Sequence, residues 1–308
     1  MRIRKPLQVL LQFKMLKEKW KRAWAWINQV EDYSPDVFVK SQWQLGETST
    51  IYLIYRWMLA GTFVCGLFAS VLDLGRDPVP GAAARAAPAP SHDIQHYFKW
   101  PIYLTNWGYT ACTVQAIMAT AHVTKHYARM RINPGAGMEK MKTSYKLYWV
   151  IHSVAVICSV VITTIYWSAV YRPGKTDSID VVNLTVHVFN SVLMVLDLWV
   201  VAHPFKLFHF YWAFILGAVY SVFSYIYFLA GGTNRRGNPF IYLILNWRRP
   251  VNALLAISCT VLFEALVTVI AWMMFIVRRR LANLFHRKMA ARRMANSGQA
   301  TDQGPRIV

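Results

Sequence analysis

The chain has 308 residues, of which 56% are hydrophobic and 15% aromatic, with a formal net charge of +20 and a mean hydropathy of +0.28. Such apolarity excludes an ordinary soluble domain, so a charge this high has to be segregated from the apolar residues along the chain. The four cysteines all lie inside apolar runs, which excludes a disulfide framework, and the basic load suits anionic lipid better than nucleic acid.

Residues 1–45 form a basic N-terminal segment. Val9, Phe13, Leu16, Trp20, Trp24 and Ile27 recur at helical spacing on one face, and lysines interrupt the run. The pattern predicts an amphipathic helix lying on a membrane surface rather than a signal peptide. A transmembrane domain over 46–280 follows. Six runs of 20 residues or more carry few or no charges: 51–72, 101–122, 147–170, 181–202, 207–230 and 251–277. A bilayer core of ~30 Å needs ~20 helical residues, and none of these runs alternates with period two. The expected fold is therefore all-α, a polytopic membrane bundle of about six transmembrane helices. The Pro/Ala-rich stretch from Pro78 to Pro90 predicts an irregular loop. Residues 281–308 form a basic tail; the basic run that leads into it from Arg278 is expected to continue the last helix into the headgroup region and fray after Asn296.

Lysine and arginine set the orientation. The segments on the side of the two termini carry 24, and the loops on the other side carry nine. Both termini are therefore expected in the cytoplasm, with anionic lipids as their partners.

Polar residues inside hydrocarbon are costly and tend to face the bundle. The fourth span has the best-ordered set: Asn183, His187, Asn190, Met194 and Asp197 share one helical face. The second carries Thr105, Gly108, Cys112, Gln115, Ala119 and His122. The third offers His152, Ser159 and Thr163, and the sixth Glu264. Depth decides which can meet. Thr105 and His187 both lie roughly 6–9 Å below the outer boundary, whereas Asp197 lies ~15 Å deeper than His187. Asp197 is instead level with Arg56, and the two are expected to form a buried ion pair. A histidine within reach can take the proton of a threonine hydroxyl. Thr105 as nucleophile and His187 as base, near the depth of lipid ester groups, would suit attack on an ester carbonyl. Asn106, Asn183 or Asn190 would then bind the oxyanion. The plainer expectation is that such polar groups only join helices.

Histidine spacing also suggests a metal site. His92/His96 and His122/His126 are each four apart, the spacing of two ligands on one helix face. Yet no HxxHH or HExxH string occurs, and no pair of spans places histidines at matched depth on both sides of the bilayer. No metal or other cofactor is expected. His122, His126, His152, His203 and His209 are read as solvated or headgroup-bound groups near the basic side.

The strings Ser41-Gln42-Trp43-Gln44, Tyr55-Arg56-Trp57 and Tyr103-Leu104-Thr105-Asn106-Trp107-Gly108 resemble the rolling stone family of multi-pass proteins. So do Tyr148-Trp149, Ile165-Tyr166-Trp167, His187 with Asn190-Ser191, Tyr225-Ile226-Tyr227 with Gly231-Gly232, and Asn246-Trp247 with Pro250. The resemblance covers roughly 40–280. It implies a eukaryotic multi-pass membrane protein, in a family whose founding member is associated with myoblast fusion. A more distant resemblance is to the androgen-induced family of intramembrane hydrolases of fatty acid esters, which use a threonine and a histidine. Leu104-Thr105 matches its Leu-Thr motif, and Asn183 with His187 matches the asparagine four residues before its histidine. Leu184 and Thr185 stand where that family has a second histidine and a glycine. Two functions follow as expectations. One is a lipid ester hydrolase. The other is a non-enzymatic factor in cell–cell contact, fusion or membrane organisation. A transporter is disfavoured, because no pair of spans is broken by Gly/Pro at its midplane.

Overall fold

The computed structural model describes residues 33–74, 97–135, 140–172 and 179–302, together with 14–15, 17–19 and 21. Among them the chain forms six long helices and no strand: α1 (Thr50–Val71), α2 (Leu104–Ile132), α3 (Thr143–Ile165), α4 (Val181–Val200), α5 (Phe210–Leu229) and α6 (Pro250–Asp302). Local chemistry sets their ends. The Ser49 hydroxyl accepts from the Tyr52 amide to start α1, and the Asp180 carboxylate accepts from the Asn183 amide at 2.7 Å to start α4. Helix α5 stops where Gly231 takes φ +74°, a conformation that side chains disfavour. Pro250 opens α6, where its missing N–H costs nothing.

One of the expected spans needs correction. Helix α2 starts three residues later than expected and runs ten further. Helix α6 continues past 277 as expected and reaches Asp302, about 80 Å in all, so much of the basic tail is helical. Five helices are long and apolar enough to cross a membrane, and α2 is not among them. The reason lies in its polar stripe: Thr105, Asn106, Thr113, Gln115 and Thr120 are buried between neighbouring helices, so the bundle rather than lipid solvates them.

Helix α3 is the most enclosed of the five apolar spans and sits at the centre, with α2, α4, α5 and α6 packed around it. The core joins Phe63, Tyr109, Cys112, Ile157, Met194 and Phe275. Gly66 lets the Tyr109 ring and Thr185 press onto the α1 backbone, and a Cβ there would overlap the Tyr109 hydroxyl. Outward, Ile51, Met58, Val251 and Leu262 are each more than two-thirds exposed. Only lipid suits so long an apolar belt.

Of the expected interfacial helix, Lys14, Met15, Lys17, Glu18, Lys19 and Lys21 are described and helical. Its apolar face, the 75–96 loop with His92 and His96, and residues 303–308 lie outside the described residues.

Candidate functional site

Two buried polar centres occupy opposite ends of the bundle. The first lies toward the basic end. Arg56 of α1 and Asp197 of α4, expected to pair, have Nη1 2.8 Å from Oδ1, and both are buried. Other groups complete their shells. Arg56 Nε and Nη2 donate to the Tyr52 hydroxyl at 2.9 and 2.6 Å, and the Tyr55 hydroxyl donates to Asp197 Oδ1 at 2.9 Å. His152 Nε2 lies 3.2 Å from Asp197 Oδ2. The His152 ring meets that of His203 edge-on at 4.5 Å, and His203 Nε2 lies 3.1 Å from the Tyr148 hydroxyl. Burial, aided by the charges of His152, Arg278 and Arg56, holds His203 well below the usual histidine range, so it stays neutral. Phe38 stacks on His203 and closes the cluster from below.

This centre corrects two sequence readings. His152, His203 and His209 are buried inside the bundle rather than solvated or headgroup-bound. Arg278, read as part of the basic tail, is buried and donates to the carbonyls of Leu198 and His203, tying α6 to the end of α4. Ser153 Oγ lies 2.8 Å from His209 Nδ1 and 3.0 Å from the Trp149 carbonyl oxygen. The carbonyl competes with the ring nitrogen for the hydroxyl proton, and neither cavity at the opposite end of the bundle reaches the pair.

The second centre lies at the opposite end, where a π turn, Tyr166–Val170, prolongs α3 and another, Thr185–Phe189, lies within α4. Such turns add a residue to a helix and often mark functional sites. Here they bring Tyr166 and His187 face to face, ring centroids 3.4 Å apart and 5° from parallel. Beside them α2 begins. The Trp100 indole donates to Ser70, the Tyr220 hydroxyl donates to the Ile102 carbonyl, and Asn106 Nδ2 donates to the Trp100 carbonyl at 2.6 Å. These bonds hold Thr105 in the first turn of α2.

Thr105 and His187 face one cavity of about 310 Å³. Arg172, Arg235 and Arg236 also line this cavity. The 230–249 segment forms its roof and is well fixed. Asn234 Oδ1 accepts from the amides of Arg236 and Asn238, and Arg235 Nη1 pairs with Asp73 at 3.1 Å. Thr105 also borders a second cavity of about 510 Å³, lined by apolar residues of α3, α5 and α6 and reaching Glu264. Tyr166, Val170 and Tyr242 are shared between the two cavities, so Thr105 stands where a polar chamber meets an apolar one.

Of the three asparagines offered for an oxyanion, Asn106 alone lines the polar cavity. Asn183 donates to the Tyr166 hydroxyl, and Asn190 accepts from Thr163 and from the Ser191 amide, so both are engaged in holding helices. Sequence reasoning missed Tyr242. Its hydroxyl approaches the Thr105 side chain and backbone without reaching ordinary hydrogen-bond geometry, and burial pushes its pKa up to about 12, so it remains a proton donor. It comes from a loop with no periodicity to reveal it. Glu264 faces the apolar cavity with Oε1 lacking a hydrogen-bond partner.

A family model described as protein rolling stone matches residues 94–297. Protein rolling stone of Drosophila melanogaster is 29% identical over 261 residues, which cover 82% of this chain and 85% of that protein. No solved structure matches.

Proposed function

The chain belongs to the rolling stone family, and on that premise we propose that it is a membrane-embedded hydrolase of lipid esters, with Thr105 as nucleophile and His187 as general base. One observation carries this reading: Thr105 stands at the junction of a polar chamber that holds His187 and an apolar chamber large enough for an acyl chain. The partial resemblance to the androgen-induced hydrolases supports the same two residues.

In this reading the Thr105 oxygen attacks the ester carbonyl while His187 takes its proton. The tetrahedral oxyanion faces the Tyr242 hydroxyl and Asn106. As the C–O bond to the leaving alcohol breaks, His187 returns the proton to that oxygen. Water entering through the polar chamber then attacks the acyl-threonine, giving its proton to His187. Breaking the Thr105 ester bond releases the fatty acid and restores the hydroxyl. Ester and water become acid and alcohol.

The Lys/Arg distribution supports cytoplasmic termini, with the Thr105 end of the bundle on the outer side. On the same grounds anionic lipids would contact the basic ends.

The test uses the full chain, purified in detergent and given lipid esters. Thr105→Ala and His187→Ala each lower turnover by ~10²-fold or more, with thermal stability near that of the wild type. Turnover that is absent from the wild type, or indifferent to both substitutions, rejects the enzyme. Membrane organisation without chemistry then becomes the better account.

A further inference from the structure

The apolar chamber holds one acid. Glu264 lines it, and among the described residues no Lys, Arg, His or Asp does so. The residue is 6% exposed, and its Oε1 has no hydrogen-bond partner. Other polar side chains of the chamber are occupied. Ser221 Oγ and Thr260 Oγ1 each donate at 2.8 Å to a carbonyl of their own helix, and the Trp247 indole donates to Ser224. A buried carboxyl in this state is costly unless something in the chamber bonds to it. The chamber also has a way in. Its lining includes Phe214, Val222 and Leu254, each more than two-fifths exposed on the lipid-facing belt. Gly217 lies on the same wall, and a Cβ there would meet nothing within 4 Å. The opening is therefore sideways, into the bilayer. Depth sets the scale. Leu104 packs in one cluster with Ala253 of α6, so Thr105 stands near the level of Ala253. Glu264 lies about three turns further along α6, ~16 Å deeper. That is the length of roughly twelve carbons of an extended chain.

We infer that the apolar chamber binds a membrane lipid whose acyl chain carries a hydroxyl near its middle. The chain enters sideways past Gly217, and its hydroxyl exchanges hydrogen bonds with the Glu264 carboxyl. A hydroxyl both donates and accepts, so it satisfies the acid without bringing a charge into the membrane. An ammonium would be stripped of water in a chamber that offers it one carboxyl within apolar walls, and a single buried ion pair does not repay that cost. A plain hydrocarbon chain would fill the same space and leave Oε1 bare. The inference rests on the ester-hydrolase reading for the end of the chain that lies at Thr105. It does not rest on it for the hydroxyl at Glu264.

The experiment reads binding rather than turnover. The full-length Thr105→Ala protein is placed in nanodiscs of lipid with plain chains. It is titrated with monoacylglycerols of one chain length. One chain is plain, one is hydroxylated about twelve carbons from the ester, one is hydroxylated beside the ester, and one carries an amine in place of the deep hydroxyl. The deep hydroxyl binds about tenfold more tightly than the plain chain or its positional isomer, as one hydrogen bond to an otherwise unsatisfied buried group would give. Glu264→Leu in the same background removes that preference and keeps the affinity for the plain chain. Glu264→Gln, whose amide also donates and accepts, retains most of the preference. Gly217→Leu fills the entry and weakens all the chains alike. Equal binding of the plain and deep-hydroxyl chains, or a preference that survives Glu264→Leu, overturns the proposal. So does an amine that outbinds the hydroxyl, which would make Glu264 a cation site, and so do affinities untouched by Gly217→Leu. If wild type cleaves no ester while the hydroxyl preference holds, ester cleavage is rejected and the lipid site is kept; turnover without the preference does the reverse.

Discussion

The two polar centres differ in what their groups are left to do. Around Arg56 and Asp197 both charged groups are fully partnered, with His152 Nδ1 and Arg278 Nε left over at the edge, aromatic rings close the gaps, and neither cavity reaches the cluster. Around Thr105 and His187 there are two cavities, two π turns and a hydroxyl, that of Tyr242, short of a good hydrogen bond. Both centres carry polar side chains inside a bundle that faces lipid. The comparison teaches that polarity in a membrane protein does not by itself mark chemistry. A satisfied network holds helices together, whereas an unsatisfied one beside empty space is available to a ligand.

The largest effect should come from breaking the satisfied centre. Asp197→Ala strips Arg56 of its counter-ion and leaves a buried guanidinium, which costs ~3–5 kcal/mol. The expected outcome is loss of the folded protein on detergent extraction, or a large drop in its unfolding midpoint. The apolar pair Arg56→Met/Asp197→Leu should recover most of that loss, because it removes both desolvated charges together. A single Asp197→Ala protein as stable as the wild type would show that the centre is not a structural lock. The contrast between the two ends would then collapse.

At the open centre the measure is rate rather than stability. Tyr242→Phe removes one hydroxyl beside Thr105 and nothing from the packing. If that hydroxyl meets the oxyanion, kcat for ester cleavage falls by ~10²-fold, with KM and the melting temperature nearly unchanged. A drop in melting temperature with kcat intact would instead make Tyr242 a strut like Tyr52.

The centres also differed in how far the sequence revealed them. The depth count paired Arg56 with Asp197 and put Thr105 level with His187, because rise per residue is nearly constant in a helix. It did not reveal the π turns, since an added residue leaves no mark on hydrophobic periodicity. Nor did it reveal Tyr242 or the arginine roof. These come from a loop whose fold depends on Asn234 and on the Asp73–Arg235 pair, contacts far apart in sequence. Asn183 looked like a site residue because it shares a face with His187, yet it donates to Tyr166. A shared face predicts burial, and partners decide the role. Arg278 misled in the other direction. At the head of a basic run it reads as a surface cation, and its burial is visible only once α4 ends beneath it.

A smaller effect separates the centres by pH. His203, in the loop after α4, is packed against His152 and Tyr148 of α3, Arg278 of α6 and Phe38, with Arg56 of α1 and Asp197 of α4 close by. Its pKa is lowered in the folded protein, so below the unfolded value of ~6.5 the unfolded chain binds more protons. The stability tied to neutral His203 is complete above that pH and is lost as pH falls toward the lower, folded value. Melting temperature should therefore decline on acidification from pH 7 to 5, and His203→Phe should flatten the decline. A profile unaltered by that substitution would place the acid-sensitive group elsewhere.

The smallest expected effect tests the open centre at its deep end. Glu264 has one carboxyl oxygen without a partner, facing the apolar chamber. Replacing an unsatisfied buried polar group by an apolar one of similar shape ranges from neutral to stabilising. Glu264→Leu should accordingly leave the unfolding midpoint unchanged or raise it by the equivalent of ~1 kcal/mol. That is opposite in sign to Asp197→Ala, although both substitutions delete a buried carboxylate. A clear loss of stability would mean that Glu264 has a partner. The deep end of the chamber would then resemble the locked centre, and the space left for an acyl chain would end above it.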